Sequence, residues 1–399
     1  MNTTRIGAPW PAPPENIPLN GTSARLRVAI LWSTYGHYHF ARLEALSRMF
    51  SVFPVAYGAS DASYRWNVGR GLGQITELCP DTWQAHSQFN LACRVWRVMD
   101  RIQPDVVLIS GYSDLPAVSA AAWASLHRRI SILMSDSTYS DRTRSLAKES
   151  VKRLLIKAFY SAAVCSGTRA EAYLQALGVS AANIGHKYDV VDNRFFCDGT
   201  DNIRRDLARQ GGSSAQPYFL WVGRYCAEKN LEYLLSSYRT YRTRGGSWGL
   251  TLVGYGPLEG AVRKKVQELG LLCSVVIAGA RGPEGLLEFY ALAGCLVLPS
   301  AKDTWGLVVN EALASGLPVI VADKCGCADD LVLGRGTGIV IDPGEPLALT
   351  MALMRMESLS EEERGAMGKR GQSVIAEFSP EMWADEVLQV IRKTGNIKA

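Results

Sequence analysis

From Leu26 onward, short apolar runs alternate with longer stretches in which apolar residues recur every three or four positions. The first run, Arg27-Val28-Ala29-Ile30-Leu31-Trp32, stops at a turn containing Gly36 and reads as a strand followed by a helix. Val106 to Ile109, Ile130 to Met134, Ala163 to Ser166 and Tyr188 to Val191 continue the series as strands, with helical spacing between them. Strands separated by helices pair in parallel, because a parallel partner needs a long crossover. The segment Asp198 to Gln216 is polar and contains Gly211-Gly212-Ser213-Ser214, and the same rhythm restarts at Tyr218. The second series runs through Phe219 to Val222, Gly249 to Val253, Ser274 to Ala278, Cys295 to Pro299, Pro318 to Ala322 and Gly338 to Ile341. The pattern predicts an α/β protein of two doubly wound domains, 25–200 and 201–378. Five prolines between Pro9 and Pro18 predict a flexible arm over 1–24. A closing helix lies within 379–399, with Ser379 as N-cap, Pro380 at its first position and Met382, Val387, Val390 and Ile391 as anchors.

Composition narrows the class without naming it. A chain of 399 residues exceeds one ordinary core, and 47% hydrophobic with 20% charged residues is the make-up of a folding globular protein. A formal charge of +5 is too small to argue for nucleic acid, although it suits an anionic ligand. The nine cysteines are scattered without a C-x-x-C pair, which supports neither a disulfide framework nor a zinc site. No apolar run reaches the roughly 18 residues that cross a bilayer, and the N-terminus lacks a signal core, so the expected location is cytoplasmic.

Ligands in open parallel sheets bind beyond the carboxyl ends of the strands, which directs attention to four loops. In Gly223-Arg224-Tyr225-Cys226-Ala227-Glu228-Lys229-Asn230, two cations flank one turn, with Lys229 expected to open the next helix. Their forked and mobile donors, beside free helix amides, suit a diphosphate; two solvated surface charges are the plainer reading. In the loop and helix from Ser300 to Ala312, Asp303 precedes Gly306, which lets a ligand approach the backbone, and the amides of Leu307 and Val308 start the helix unpaired. Glu311, one turn further, points a carboxylate toward the same mouth, where sugar or ribose hydroxyls would donate to it; an N-terminal capping Asp303 and an ordinary helical Glu311 are the alternative. Gly254-Tyr255-Gly256-Pro257 lacks the third glycine of a dinucleotide fingerprint and reads as a turn. The loop Ser33 to His39 places Gly36, His37 and His39 where they can face the cleft from the N-terminal side.

A basic amphipathic stretch spans 142–162, with Lys148, Lys152, Arg153 and Lys157 beside Val151, Leu154, Leu155, Ala158 and Phe159. Two readings stand: the stripe packs on the protein's own sheet, or it makes peripheral contact with an anionic membrane on its inner face.

Taken together, G-R-Y-C-A-E-K-N, G-Y-G-P, E-F-Y-A-L-A-G-C-L-V-L-P-S and D-T-W-G-L-V-V-N-E-A-L-A-S-G-L-P-V-I resemble the family 4 retaining glycosyltransferases of the GT-B fold, across about residues 218 to 345. The resemblance implies two Rossmann-like domains facing a central cleft, with the nucleotide-sugar donor on the C-terminal one and a hydroxyl acceptor on the N-terminal one. It implies that Arg224 and Lys229 neutralise the donor diphosphate, and that Gly223, Gly36 and the backbone of Trp305, Gly306, Leu307 and Val308 hold the donor. Asp303 and Glu311 fill the ends of the family's E-x7-E motif, toward sugar and ribose respectively. Asp303 is one methylene shorter than the usual Glu. Asp136, in Met134-Ser135-Asp136-Ser137-Thr138, stands where a histidine is common and takes an acceptor-facing role. The implied activity is that of a retaining hexosyltransferase using UDP- or GDP-sugar. No cofactor and no metal are expected, since no D-x-D triplet is present. A nucleotide-sugar epimerase, a sugar phosphorylase and a noncatalytic nucleotide-sugar-binding protein are the rivals on the same fold.

Overall fold

The computed structural model describes residues 25–61, 75–141, 144–211 and 216–395. The expected arm 1–24 lies outside the described residues, as do Arg142 at the start of the basic stretch and Gly212-Ser213-Ser214 of the polar segment. Two all-parallel sheets form the frame. The first contains β1 (Arg27–Trp32), β2 (Ser51–Ala56), β3 (Thr76–Glu77), β4 (Val106–Ser110), β5 (Ile130–Ser135), β6 (Ala162–Cys165) and β7 (Ile184–Gly185), in the order β3-β2-β1-β4-β5-β6-β7. The second contains β8 (Tyr218–Arg224), β9 (Gly249–Tyr255), β10 (Val275–Gly279), β11 (Cys295–Leu298), β12 (Val319–Ala322) and β13 (Gly338–Ile341), in the order β10-β9-β8-β11-β12-β13. Helices cover both faces of such sheets, which is why the central strands are unbroken apolar runs. In β1, Ala29 and Leu31 face a cluster under the helices Gln88–Ile102 and Leu115–Leu126. Val28, Ile30 and Trp32 on the other face join a cluster that continues into the second sheet's core through Val190, Val191 and Phe196.

Three expectations change. β2 was not among the predicted strands, because Pro54 interrupts its apolar run; the proline is tolerated here inside a parallel strand paired with β1 and β3. The predicted strand Tyr188 to Val191 is irregular chain, bent at Asp189, although the Tyr188 amide donates to the Cys165 carbonyl at the end of β6; its apolar residues are buried in the core shared between the sheets, and β7 lies just before it. The expected junction at residues 200 and 201 falls inside the unbroken helix Asn193–Arg209, which Asp192 caps through the Phe195 amide. That helix is polar because only Phe196 and Thr200 are fully buried, and its Arg204 binds the carbonyls of Ala291 and Ser315 in the second half.

The closing helix Pro380–Thr394 returns to the first sheet. Ser379 accepts from the Met382 amide and Pro380 occupies the first turn, as capping chemistry requires. Trp383, Val387, Val390 and Ile391 are buried, whereas the expected anchor Met382 is only half-buried. The helix lies against β6, β7 and the helix His37–Ser47; a Cβ at Gly185 would come within 2.8 Å of the Val390 side chain, so this crossing needs glycine. Asn193 adds a tie by donating to the carbonyls of Ile375 and Phe378 at 2.8 and 3.1 Å.

Because Trp383 is 0% exposed, truncating it leaves a large void under the returning helix. Trp383→Ala is expected to lower the thermal midpoint by roughly 10 °C. Scanning fluorimetry showing a shift of about 1 °C or less would contradict this packing role.

Candidate active site

Strand order reverses beside the first strand of each sheet. β2 and β3 lie on one side of β1 and β4 to β7 on the other; β9 and β10 lie on one side of β8 and β11 to β13 on the other. Loops leaving β1 and β4, or β8 and β11, therefore diverge and open a crevice at the carboxyl ends of the strands. The candidate residues sit at or after the ends of β1, β8 and β11, apart from Asp136, which follows β5.

On the second sheet, β8 ends at Arg224, and a 3-10 turn Ala227–Lys229 follows. Asn230 then adopts φ 55, and the next helix begins at Leu231. Lys229 thus stands ahead of the helix instead of opening it, because the chain must pass through a left-handed residue before turning into that helix. Its ammonium donates to Asp303 Oδ2 on the loop after β11, and the Ala301 amide donates to the Glu228 carbonyl, so the two loops are joined. Burial pulls the Lys229 pKa down, but the Asp303 charge and hydrogen bond outweigh it and leave the group above its ordinary value. Among the described residues Arg224 has no ion-pair partner; its charge helps hold the Glu228 carboxyl low, after the backbone and Cys226 hydrogen bonds.

The helix Leu307–Ala314 starts at Gly306, whose φ of 104 excludes most side chains and whose added Cβ would lie 2.9 Å from Leu298. The amides of Leu307 and Val308 fall in the first turn, where the helix offers no acceptor. Trp305 cannot present its ring to a ligand: the indole is 2% exposed and donates to Asn310 Oδ1 at 2.9 Å. Gly223 lies opposite Gly254, where a Cβ would strike the Gly223 carbonyl at 1.8 Å; Gly254 and Tyr255, read as a turn, instead end β9 in close packing on β8.

Glu311 is fully buried, and both its oxygens are engaged. Tyr290 Oη donates to Oε2 and Tyr38 Oη, from the helix His37–Ser47 of the other domain, donates to Oε1, each at 2.5 Å. Burial pushes its pKa up to about 7, against the opposing pull of the two hydroxyls.

The first domain contributes a cavity of about 400 Å³, lined among others by Trp32, His39, Arg42, Asp136, Tyr188 and Leu307. Asp136 follows β5 and accepts from Thr304 Oγ1 across the cleft at 2.7 Å, and burial raises its pKa. Asp189, raised to about 6 by burial and then by Asp136, pairs with Arg42 and accepts from Ser166. Asn310 closes the seam by donating to the Asp189 carbonyl at 3.0 Å. His39 lines the cavity, but its Nδ1 accepts from the Gly36 amide at 2.8 Å, so Gly36 caps its own helix. Burial lowers the His37 pKa to about 4 and takes that of His39 well below its usual value. Arg42, Asp189, Tyr38, Tyr290 and Thr304 were not picked out from sequence, because each pairs with a residue distant along the chain. The loop after β3 also brings ligand atoms of Cys79, Asp81 and His86 within 4.8 Å of one another, a grouping that cysteine spacing alone does not reveal.

Comparison with known proteins agrees with this geometry. Residues 203–374 match the family model described as Glycosyl transferases group 1. Alpha-D-kanosaminyltransferase of Streptomyces kanamyceticus is 26% identical over 196 residues, covering 49% of this chain and 50% of that protein. D-inositol 3-phosphate glycosyltransferase of Corynebacterium urealyticum is 28% identical over 200 residues, covering 48% and 46%. The chain thus spans about half the length of the curated relatives it matches. A glycosyltransferase crystal structure from Rickettsia africae superposes with a TM-score of 0.72 at 13% identity, covering 93% of this chain and 98% of that one. Anabaena Alr3699/HepE in complex with UDP and glucose superposes at 0.71 with 16% identity, covering 92% and 99%. The fold is the GT-B arrangement of two Rossmann-like domains.

Glu311 gives a pH test. With a folded pKa near 7 against an ordinary 4.5, it binds more proton in the folded than in the unfolded chain between those values, so its contribution to stability declines as pH rises through that window. Glu311→Gln keeps the shape without the charge and is expected to gain thermal stability relative to the parent between pH 5 and pH 8, by a few kcal/mol in order of magnitude. A midpoint difference that stays constant across that range would refute a buried, raised carboxyl.

Proposed function

We propose that this protein is a glycosyltransferase that moves a hexose-type sugar from a nucleoside diphosphate sugar to a hydroxyl acceptor with retention of anomeric configuration and without a metal ion. The observation that carries the reading is the meeting, at the second sheet's reversal point, of Arg224, the Lys229–Asp303 pair and the helix mouth at Gly306 to Val308. Anionic phosphates fit a helix start and two cations, while carboxylates beside them fit sugar hydroxyls. The match to Glycosyl transferases group 1, relatives named as glycosyltransferases and a structural neighbour with UDP and glucose bound support the same class.

Departure of a nucleoside diphosphate develops negative charge on a phosphate oxygen, and fixed donors stabilise that charge more in the transition state than before it. Arg224 and the leading amides of the helix Leu307–Ala314 take this role. Lys229 shares it, turning between the carboxylate it already holds and the arriving phosphate. Asp303, so released, faces the donor sugar; Glu311 faces the ribose once Tyr38 gives up Oε1. The cavity on the first domain takes the acceptor, with Asp136 accepting a hydrogen bond from its hydroxyl and His39 forming part of the wall, whereas His37 lies outside that lining. Attack from the face the leaving group vacates lets a phosphate oxygen take the acceptor's proton, so no protein nucleophile is required. With no D-x-D triplet to hold a divalent cation, the two basic residues stand in for one.

Two measurements test the proposal. Thermal-shift screening against UDP, GDP, ADP and their sugars should raise the midpoint for one nucleotide; no shift with any of them at millimolar concentration would reject the donor site. In transfer assays with the donor so found, Arg224→Ala and Lys229→Ala should each lower kcat/KM by on the order of 100-fold or more, and EDTA should leave turnover intact. Near-parental turnover in both variants would dismiss the assignment.

A further inference from the structure

The helix Leu146–Phe159 lies on the first domain, directly after the loop that carries Asp136 and Ser137 away from the cavity. A helix covering a parallel sheet normally buries an apolar stripe. Here only Ile156 is fully buried, while Leu146 is 89%, Val151 56% and Leu154 69% exposed. The reading in which the whole stripe packs on the sheet therefore fails for its leading members. Ala147, Val151, Leu154 and Ala158 recur at helical spacing on one outward row, with Lys148 on one flank and Arg153 and Lys157 on the other. Among the described residues none of these three cations has a carboxylate partner, and the one acid of the helix, Glu149, is turned inward onto Lys152, Arg144 and Tyr173. At the end of the neighbouring helix, Leu126 is 71% exposed, and the bond from Ser125 Oγ to the Ala158 carbonyl sets it beside the same surface. Exposed Arg128 follows it.

Charge follows the same surface. Between Leu115 and Phe159 the chain has eight Lys and Arg against three acids, an excess of five that equals the formal net charge of the whole protein. The rest of the chain is balanced; within this segment Arg129, Arg144 and Lys152 are paired with carboxylates, and Arg128, Lys148, Arg153 and Lys157 are the exposed cations at this face.

We propose that this face, formed by the helix Leu146–Phe159 and the Leu126–Arg128 corner, docks on an anionic phospholipid bilayer, with Leu146, Val151 and Leu154 entering the interface and Lys148, Arg153 and Lys157 meeting lipid phosphates. An amphipathic helix with outward leucines and flanking Lys and Arg is the form that lies in a membrane surface plane. A second copy of the chain is a poor occupant, because self-association would press the same unpaired cations together. Nucleic acid would use the cations and leave the leucines in water. The proposal rests on this surface and not on the proposed sugar transfer, so either can fail without the other. Docked in this way, the protein holds the loop leading from the Asp136 cavity close to the lipid headgroups.

Co-flotation of the full chain with phosphatidylglycerol-rich vesicles and with pure phosphatidylcholine vesicles tests it. Partition is expected to be about tenfold or more stronger on the anionic vesicles and to weaken as sodium chloride rises. Val151→Glu with Leu154→Glu, and separately Lys148→Glu with Lys157→Glu, should each lower that partition about tenfold or more while leaving the thermal midpoint and nucleotide-induced shift unchanged. No flotation of the parent protein, equal partition to both vesicles, or parental binding by both double variants would overturn the proposal. So would light scattering that showed a dimer abolished by Leu154→Glu, which would make the face an interface between copies.

Discussion

A parallel sheet that reverses its order of winding beside its first strand cannot close the gap this leaves. Loops depart from adjacent strand ends in opposite directions, and the helices that follow point their starts at the space between. This protein sets two such gaps against each other, one after β1 and β4 and one after β8 and β11. Everything proposed about ligands depends on that constraint, because it supplies donor amides, glycine-lined backbone and diverging side chains in one place. Long-range ties then hold the two gaps in register: the returning helix on β6 and β7, Asn193 on the carbonyls of Ile375 and Phe378, and Arg169 in a forked pair with Asp329 at 2.6 and 2.7 Å.

The cleft is expensive in electrostatic terms, since it removes several ionisable groups from water. Each is compensated by a group that a ligand would have to replace. Lys229 has Asp303, Arg42 has Asp189, and Glu311 has two tyrosine hydroxyls. These three groups are partnered before anything binds, so at them binding is an exchange of partners, while Arg224, without an ion-pair partner among the described residues, and the buried Arg42 Nε are left to be filled. Such an exchange is selective: a ligand lacking the matching anion or hydroxyls would leave a buried charge uncompensated.

How much of this was legible in the sequence depended on distance along the chain. Strands such as β8, β9 and β12 announced themselves, because burial on both faces leaves only apolar residues between two turns. β2 did not, since Pro54 breaks its pattern, and Tyr188 to Val191 misled because burial between the two domains produces the same composition as burial in a sheet. The loops around Arg224 and Asp303 were readable as local motifs. Their pairing was not: Lys229 and Asp303 are 74 positions apart, and Tyr38 and Glu311 are 273 apart. Trp305 shows the opposite failure, a residue marked by its motif whose ring proved to be core. The outward turn of Val151 and Leu154 was equally hidden, because an amphipathic pattern gives the phase of a stripe and says nothing of whether a neighbour covers it.

One short stretch, Asp303 to Glu311, answers to both halves of the molecule. Thr304 reaches Asp136, Asn310 reaches the Asp189 carbonyl, and Glu311 receives Tyr38. The same stretch holds Asp303, Gly306 to Val308 and Glu311, which the proposed nucleotide sugar would touch, so the ties between the halves and the recognition chemistry share one segment. Selection for a new sugar donor would therefore also act on the contacts that join the two halves, and drift in either trait would drag the other with it.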